Sequence, residues 1–517
     1  MKTYYLTTPL YYINAAPHIG HAYTTIAADI TARYRRMRGQ EVRFLTGTDE
    51  HGAKIEAVAK EAGQDPKTYA DGAAEKFREL WKDLGITHDD FIRTTEPRHV
   101  KRVQAVFEHL LKTGAIYKGM YKGYYCKSDE TYWTETEAPV NDKGRRLCPN
   151  SDCRRPLELL EEECCFFKLS DYGDKLLEHY RGHPEFLQPS HRANEILRFV
   201  EEGLKDLAVT RTKVSWGIPV PSLPGHVVYV WFDALQNYTA AAGYNPPGMA
   251  KDPKEPDFSK LWPADVHLVG KEIYRFHTVI WPAMLMALDL PLPKSVFAHG
   301  WWTVEGAKMS KSKGNVVDPR DVCAQYGTDA LRYFLFREMP FGNDGDFSQD
   351  SFLRRYNSEL ANDLGNLLSR LTQMVEKYLG GRLPQKPAGD YPLAKEVLAM
   401  APAVEAAMDR LALQEALNVI WAAVRRLNEQ VDKEKPWEKA KNSPELLPGL
   451  LYELVWCLRA VSIWIAPFMP DSAVRMQAQL GFAASSWDDP AMRQGPDHAQ
   501  IKKEAALFPR KTAPAVK

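Results

Sequence analysis

The sequence has no excess of either charge: 67 Lys and Arg stand against 67 Asp and Glu, a formal net charge of zero at pH 7. That balance excludes a polybasic coat. A disordered chain is excluded by the 44% of hydrophobic residues, since disorder goes with too little apolar surface to offset ordering entropy. A nucleic-acid partner stays open, because such recognition rests on a local basic stripe and placed aromatics, not on the whole-chain sum. Cysteine is scarce, seven in 517 residues, too few for a disulfide scaffold. Long apolar runs are missing as well. The run TVIWPAMLMAL, from Thr278 to Leu288, falls short of the ~18 residues a membrane span needs and contains Pro282. The start MKTYYLTTPLYYINAAPHIGH has one Lys and no continuous apolar stretch ahead of a small-residue cleavage site, so it does not read as a secretory signal. A cytoplasmic protein that spans no membrane is the expectation.

What is present is length and texture. At ~100 to 200 residues per domain the chain holds two to four domains. Its first segment alternates strand-like and helix-like stretches: KTYYLTT, then a loop through Pro9 and Pro17, then IGHAYTTIAADITARYRRMRG, then EVRFLTG. Strand, helix, strand units predict a parallel sheet with right-handed crossovers, whose ligands bind outside the carboxyl ends of the strands. The loops at Thr8–His21 and Gly47–Gly52 (GTDEHG) therefore matter first. From about Ile116 the texture changes to cysteines and a hydrophilic NDKGRR, which predicts an inserted module. Sheet-like sequence is expected to return with HVVYVWFDAL and to continue through DVHLVGKE and KSVFAHGWW. After about Gly327 apolar residues recur at helical spacing, as in Leu417, Trp421, Val424, Leu427 and Val431, which predicts a helix bundle. The polar, Pro-punctuated tail after Met492 is expected to pack loosely.

Two motifs carry chemistry. His18-Ile19-Gly20-His21 opens the first helix, where backbone N–H groups and the helix dipole favour an anionic phosphate. Gly20 lets a flat adenine approach the backbone, and the two imidazoles can both donate toward phosphoryl oxygens. Alone, such a tetrapeptide is weak evidence. Far downstream, Lys308-Met309-Ser310-Lys311-Ser312 lies in a loop rich in Gly, Ser and Lys, and ammonium groups suit a pyrophosphate that gains charge as it leaves. A solvated basic loop is the plain alternative.

Together, in this order and flanking a split α/β domain, the motifs PHIGH and KMSKS resemble the signature of the class I aminoacyl-tRNA synthetases. TTPLYYINAAPHIGH, FLTGTDEHG, YVWFDALQNY, VGKEIYRFH, FAHGWW and KMSKSKGN are similar to the methionyl family specifically, over nearly the whole chain. The insertion is too small for the editing domain of the isoleucyl, leucyl and valyl relatives. The resemblance implies activation of L-methionine with ATP and Mg2+ to methionyl-adenylate, then transfer to tRNA(Met). It implies a Rossmann-type sheet split by a connective module and followed by an all-α anticodon-binding bundle. The expected boundaries are residues 1–115 and 226–325 for the halves of the catalytic domain, 116–225 for the insertion, 326–360 for a linker with the stem-contact region, and 361–517 for the bundle. A monomer is expected.

By the same resemblance His18, His21, Lys308 and Lys311 act on the phosphates by orientation and charge. Gly20, Gly270, Lys271, Glu272, Met309, Ser310 and Ser312 meet ATP, with Glu272 standing where the family often has Asp. Asp49 offers a carboxylate to the α-ammonium of methionine, a helix-capping role being the alternative. Pro9, Leu10, Tyr12, Trp231, Ala234, Leu235, Tyr238, Ile273 and His277 form its side-chain pocket. An aromatic wall suits a thioether, since sulfur–aromatic contacts contribute ~0.3 to 1.5 kcal/mol. In NDLGNLLSR and KPWEKAK, Asn366 and Arg370 share a helix face and Trp437 is placed to stack on an unpaired anticodon base. A Trp filling a bundle seam is the alternative there.

The metal knuckle departs from the family. Relatives usually carry CxxC with CPxC or CPxH, whereas Cys126-Lys-Ser-Asp129 and Cys148-Pro-Asn-Ser-Asp-Cys153 replace one thiolate by a carboxylate. Asp is a permissible ligand, so one structural Zn2+ on Cys126, Asp129, Cys148 and Cys153 is compatible with the pattern. Cys164, Cys165, Cys323 and Cys457 are expected to pack as small hydrophobes.

Overall fold

The computed structural model describes residues 3–512 apart from 129–130, 134, 136, 151–152, 305, 309–316, 485, 490–491 and 493. The chain divides into two compact units, one of Met1–Pro17, Arg43–Lys82 and His88–Ala298, the other of His18–Val42, Asp83–Thr87 and His299–Lys517.

The first unit is built on a six-stranded sheet in the order Asp90–Arg93, Val42–Asp49, Tyr4–Tyr12, Val266–Gly270, Val296–His299, Leu187–Gln188. Thr46 with Phe91, Thr7 with His267 and Val296 with Leu187 are parallel registers. In the strand Tyr4–Tyr12, Tyr5 through Pro9 are all buried. Such unbroken burial is what a parallel sheet covered on both faces requires.

A second sheet is antiparallel. Ile116–Cys126 and Glu158–Phe167 pair from Ile116 opposite Phe167 to Tyr125 opposite Glu158, flanked by Thr131–Trp133 and Leu207–Ala208. The expected insertion, residues 116–225, is not wholly separate, however. Leu187 and Gln188 supply the edge strand of the main sheet, and the backbone N–H of Val296 donates to the carbonyl of Phe186 at 2.8 Å. Buried Phe186 and Leu187 make that edge apolar.

The expected strand HVVYVWFDAL is a second correction. Only Val227 and Val228 pair, and the chain then forms the short helices Val230–Ala234 and Asn237–Ala241. Tyr229, Val230, Phe232, Asp233 and Ala234 are all buried, and a five-residue helix whose one charged side chain is buried shows no exposed polar face to reveal its period.

Further on, Phe276–Ile280 is a π turn running into the helix Trp281–Ala287. Pro282 has no N–H for the carbonyl of Thr278 four residues back. Tyr180, from the helix Gly173–Gly182 of the insertion, donates its Oη to that carbonyl at 2.6 Å.

In the second unit the helix Ile19–Met37 is held to Thr328–Arg337 by a buried ion pair, Arg332 Nη2 to Asp29 Oδ2 at 2.7 Å. Thr87 donates its backbone N–H and its Oγ1 to the other oxygen of Asp29 at 2.8 and 2.6 Å. Burial opposes ionisation of Asp29, but Arg332 and Arg33 outweigh it and hold the carboxyl below its usual range.

The stretch 326–360, expected to hold a linker with the stem-contact region, carries the helices Thr328–Arg337 and Gln349–Arg355 around the strand Gly345–Phe347. Its Phe334, Phe336, Phe341, Phe347 and Phe352 are buried, and this aromatic content is what packs it. Bundle helices follow, among them Asn366–Leu379, Leu413–Glu434 and Leu447–Trp464.

Among the described residues one helix, Pro444–Trp464, is long and apolar enough to cross a membrane by length and composition, and 78% of its apolar window is buried inside the protein. Its high apolar content follows from a central place in the bundle. The tail differs from expectation, since Ile501, Leu507 and Phe508 are buried. Asn357 and the backbone of Lys511 exchange hydrogen bonds at 2.8 and 3.0 Å.

Candidate active site

The start of the helix Ile19–Met37 is capped by its own motif. Nδ1 of His18 accepts from the N–H of Gly20 at 3.1 Å, and Nδ1 of His21 accepts from the N–H of His18 at 3.2 Å. A neutral imidazole that accepts at Nδ1 carries its proton at Nε2, so each ring has its N–H at Nε2. The rings stack at 3.9 Å with 26° between their planes. Burial and the neighbouring His18 both push the His21 imidazole well below its ordinary pKa.

Two expectations change here. The backbone N–H groups are occupied, that of Ile19 by the carbonyl of Val317 at 3.2 Å and that of Gly20 by the His18 ring. Gly20 also has a reason besides adenine: a Cβ there would meet Cε1 and Nδ1 of His18 at 3.0 and 3.1 Å.

In the first unit, Asp49 ends the strand Val42–Asp49 and is buried. The following helix Ala53–Glu61 takes Gly52 as its N-cap without a side-chain bond, so Asp49 is not a capping residue. The next residue, Glu50, accepts from Thr48 Oγ1 at 2.6 Å and from Arg93 Nε and Nη2 at 2.6 and 2.9 Å. Its carbonyl accepts from Trp216 Nε1 at 2.6 Å, and Trp216 returns its own carbonyl to the N–H of Gly52 at 3.0 Å. The turn after Asp49 is thus fixed through side chains and backbone together.

Trp231 and Ala234 lie on the helix Val230–Ala234 with Leu235 just after it, and Tyr238 lies on Asn237–Ala241. Trp231 stacks on Phe276 at 3.9 Å and 10°. His277 Nδ1 lies 2.9 Å from the carbonyl of Ile273 and Nε2 lies 2.7 Å from Tyr238 Oη. A carbonyl only accepts, so Nδ1 carries the proton; burial pushes the imidazole down to about 4, so the neutral Nε2 accepts from the phenol.

Beneath Tyr238 is a second buried imidazole. Trp281 Nε1 donates to His267 Nε2 at 3.3 Å, His267 Nδ1 donates to Thr7 Oγ1 at 2.7 Å, and the rings of Tyr238 and His267 lie 4.2 Å apart. Phe276 and His267 were not anticipated individually, although both lie in the stretch DVHLVGKEIYRFH.

Pro9 is buried, while Leu10, Tyr12 and Ile273 are half-buried. Gly270 ends the strand Val266–Gly270 and Lys271–Ile273 forms a single 3-10 turn. The carboxylate of Glu272 folds over Gly270 so closely that a Cβ there would collide with it. Lys308 ends the short strand Ala307–Lys308, opposite Thr303. Met309, Ser310, Lys311 and Ser312 lie outside the described residues.

On the helix Asn366–Leu379, Asn366 is exposed and Arg370 half-buried. Arg370 Nη2 lies 3.0 Å from Asp432 Oδ1, and its guanidinium stands 5.6 Å from the ring of Trp437. Trp437 is 39% exposed on the helix Pro436–Asn442, which a bundle-seam residue would not be.

The sulfurs of Cys126, Cys148 and Cys153 lie within 4.8 Å of one another, Cys126 and Cys153 at 3.4 Å. Two thiolates on one tetrahedral zinc stand about 3.8 Å apart, so the three fit such an ion. Asp129 lies outside the described residues. Cys164, Cys165 and Cys457 are buried and Cys323 half-buried, and burial pushes the Cys164 thiol up to about 12.

Known proteins resemble this chain over most of its length. The family model for class I tRNA synthetases (M) matches residues 4–372. The methionine–tRNA ligase of Caldanaerobacter subterraneus subsp. tengcongensis is 50% identical over 517 residues, which cover 98% of this chain and 79% of that protein. That of Thermotoga maritima is 48% identical, over 93% of this chain and 75% of its own length. A solved structure of Mycobacterium tuberculosis methionyl-tRNA synthetase in complex with methionyl-adenylate matches at a TM-score of 0.92 and 39% identity, covering 99% of this chain and 100% of that one. The chain belongs to the methionyl family of the class I aminoacyl-tRNA synthetases.

Proposed function

We infer that the chain is a methionine–tRNA ligase working in two steps. The carboxylate of L-methionine attacks the α-phosphate of ATP and pyrophosphate leaves. The terminal ribose hydroxyl of tRNA(Met) then attacks the carbonyl carbon of the adenylate and AMP leaves. No side-chain nucleophile is needed, so the protein contributes orientation and charge.

Asp49 takes the α-ammonium. The thioether lies among Pro9, Leu10, Tyr12, Trp231, Ala234, Leu235, Tyr238, Ile273 and His277. Glu272, beside Gly270 and Lys271, takes the ribose hydroxyls, a recurrent use of a carboxylate. His18 and His21 give their Nε2–H donors to phosphoryl oxygens, and Lys308 and Lys311 meet the departing pyrophosphate with Mg2+ alongside. Asn366, Arg370 and Trp437 meet the anticodon. A zinc on Cys126, Cys148 and Cys153, with Asp129 as fourth ligand, would hold the hairpin of the insertion together and leave no coordination site for substrate.

One observation supports this reading most directly. The polar pair at the base of the pocket, Tyr238 and His277, is buried, neutral and internally satisfied. A side chain needing a donor finds none to spare there, while a thioether needs none. Amino-acid-dependent ATP–pyrophosphate exchange across all twenty amino acids tests it. Exchange with methionine alone is expected, and exchange with a different amino acid, or with none, would overturn the assignment.

A further inference from the structure

Asp233 lies between Trp231 and Ala234 on the helix Val230–Ala234, and its carboxylate is buried. Its two oxygens take two imidazoles, His51 Nδ1 on Oδ2 at 2.7 Å and His99 Nε2 on Oδ1 at 2.6 Å. His51 belongs to the turn after the strand Val42–Asp49, two residues beyond Asp49, and His99 to the helix Pro97–Thr113. All three side chains are buried.

The proton arrangement has one solution. A carboxylate only accepts, so each imidazole must present an N–H to it. Burial opposes ionisation of Asp233, but the two histidines outweigh it and hold the carboxyl below its usual range. His99 Nδ1 has no hydrogen-bond partner among the described residues, so His99 is tied to the network through its Nε2–H alone.

We propose that Asp233 is a positioning residue for methionine: through His51 it fastens the turn that carries Asp49 to the helix that carries Trp231. The ammonium site and the thioether wall come from segments far apart in sequence, and this carboxylate joins them directly. His99 anchors the same carboxylate to a third element, which keeps the helix from rotating about the His51 contact. The inference rests on the reading that Asp49 and Trp231 hold methionine.

Asp233→Asn tests it by steady-state exchange. The amide is neutral, so both bonds lose their charge, and its N–H can be accepted at His99 Nε2 only if that ring shifts its proton to the buried Nδ1, where it finds no partner. Methionine KM should rise on the order of tenfold, with ATP KM unchanged and kcat at saturating methionine within about twofold. The double variant Asp49→Asn/Asp233→Asn should lose less than the sum of the single losses, because Asp233 acts through Asp49.

Unchanged methionine KM for Asp233→Asn, with Asp49→Asn raising it, would overturn the positioning role and leave the substrate reading standing. Unchanged KM for Asp49→Asn itself would overturn the substrate reading. A fall in kcat with a lower melting temperature and both KM values constant would make Asp233 a stability residue only. Should Asp233→Asn fail to fold, His51→Leu, which removes only the arm reaching the turn, is expected to raise methionine KM in the same selective way, and an unchanged value would refute the proposal.

Discussion

Tyr238→Phe removes one oxygen from the pocket and little else. The phenol is 1% exposed and the imidazole it serves 2% exposed, so no solvent stands ready to replace the donor. His277 cannot answer by moving its proton to the other nitrogen, because Nδ1–H is committed to the carbonyl of Ile273 at 2.9 Å. The Nε2 lone pair is therefore left buried and unpaired, at a cost of about 1 to 3 kcal/mol. The bond from Tyr5 Oη to the backbone carbonyl of Tyr238, 2.8 Å, is untouched, so the ring stays in place and there is no large cavity to add to the cost. If half of that cost is expressed when methionine closes the pocket, methionine KM rises about 2- to 13-fold. ATP KM should be unchanged. ATP–pyrophosphate exchange with each substrate varied in turn measures both constants, and thermal unfolding reports what is not expressed in binding. A variant with wild-type methionine KM and wild-type melting temperature would refute the hydrogen-bond argument. A rise in both KM values together would show a general loss of structure instead.

His277 should also mark the acid limb of stability. Its pKa, about 4 when folded, is depressed below the ordinary 6.5, so the contribution is complete above 6.5 and is lost as pH falls through 4. Relative to His277→Gln, which cannot titrate there, the wild type should lose about 2 kcal/mol between pH 7 and pH 5 in the first urea transition; a pH-independent gap would contradict a buried neutral ring. Trp437→Ala should lower aminoacylation at least ~5-fold, base stacking being worth ~1 to 3 kcal/mol, while exchange without tRNA is unaltered; a parallel fall in both would make Trp437 a core residue. Protein purified without chelators should hold near-stoichiometric zinc by elemental analysis, and Cys148→Ser should lose it while keeping its methionine KM; metal-free protein with an intact hairpin would remove the knuckle.

Legibility in the sequence followed the kind of signal. Motif spacing located element termini: His18, Gly20 and His21 sit at a helix start, Asp49 at a strand end and Gly270 at another, where phosphate and nucleotide sites are commonly built. Amphipathic periodicity located the bundle around Leu417 to Val431. It failed at HVVYVWFDAL, where Tyr229, Val230, Phe232, Ala234, Leu235 and even Asp233 are buried, so no exposed polar face reveals the 3.6-residue period. The short edge strand Leu187–Gln188 was invisible for another reason, since two residues carry no alternation at all. Polar composition made the tail look loose, yet a few apolar anchors, Ile501, Leu507 and Phe508, suffice to seat it. Pairings such as Asp233 with His51 and His99 join residues up to 182 positions apart, and no local pattern encodes them.

The carbonyl of Thr278 has a consequence for how this protein can change over generations. Pro282 withdraws a donor from the helix that carries His277, and Tyr180, 98 positions earlier in the chain, supplies the replacement. Neither residue can be exchanged without altering the selective value of the other. With proline present, the phenol is held by a penalty on its loss; with an N–H restored at 282, the phenol becomes dispensable and free to drift. The two positions are therefore expected to be inherited as a pair, and a lineage that gives up the proline should be the one in which position 180 varies.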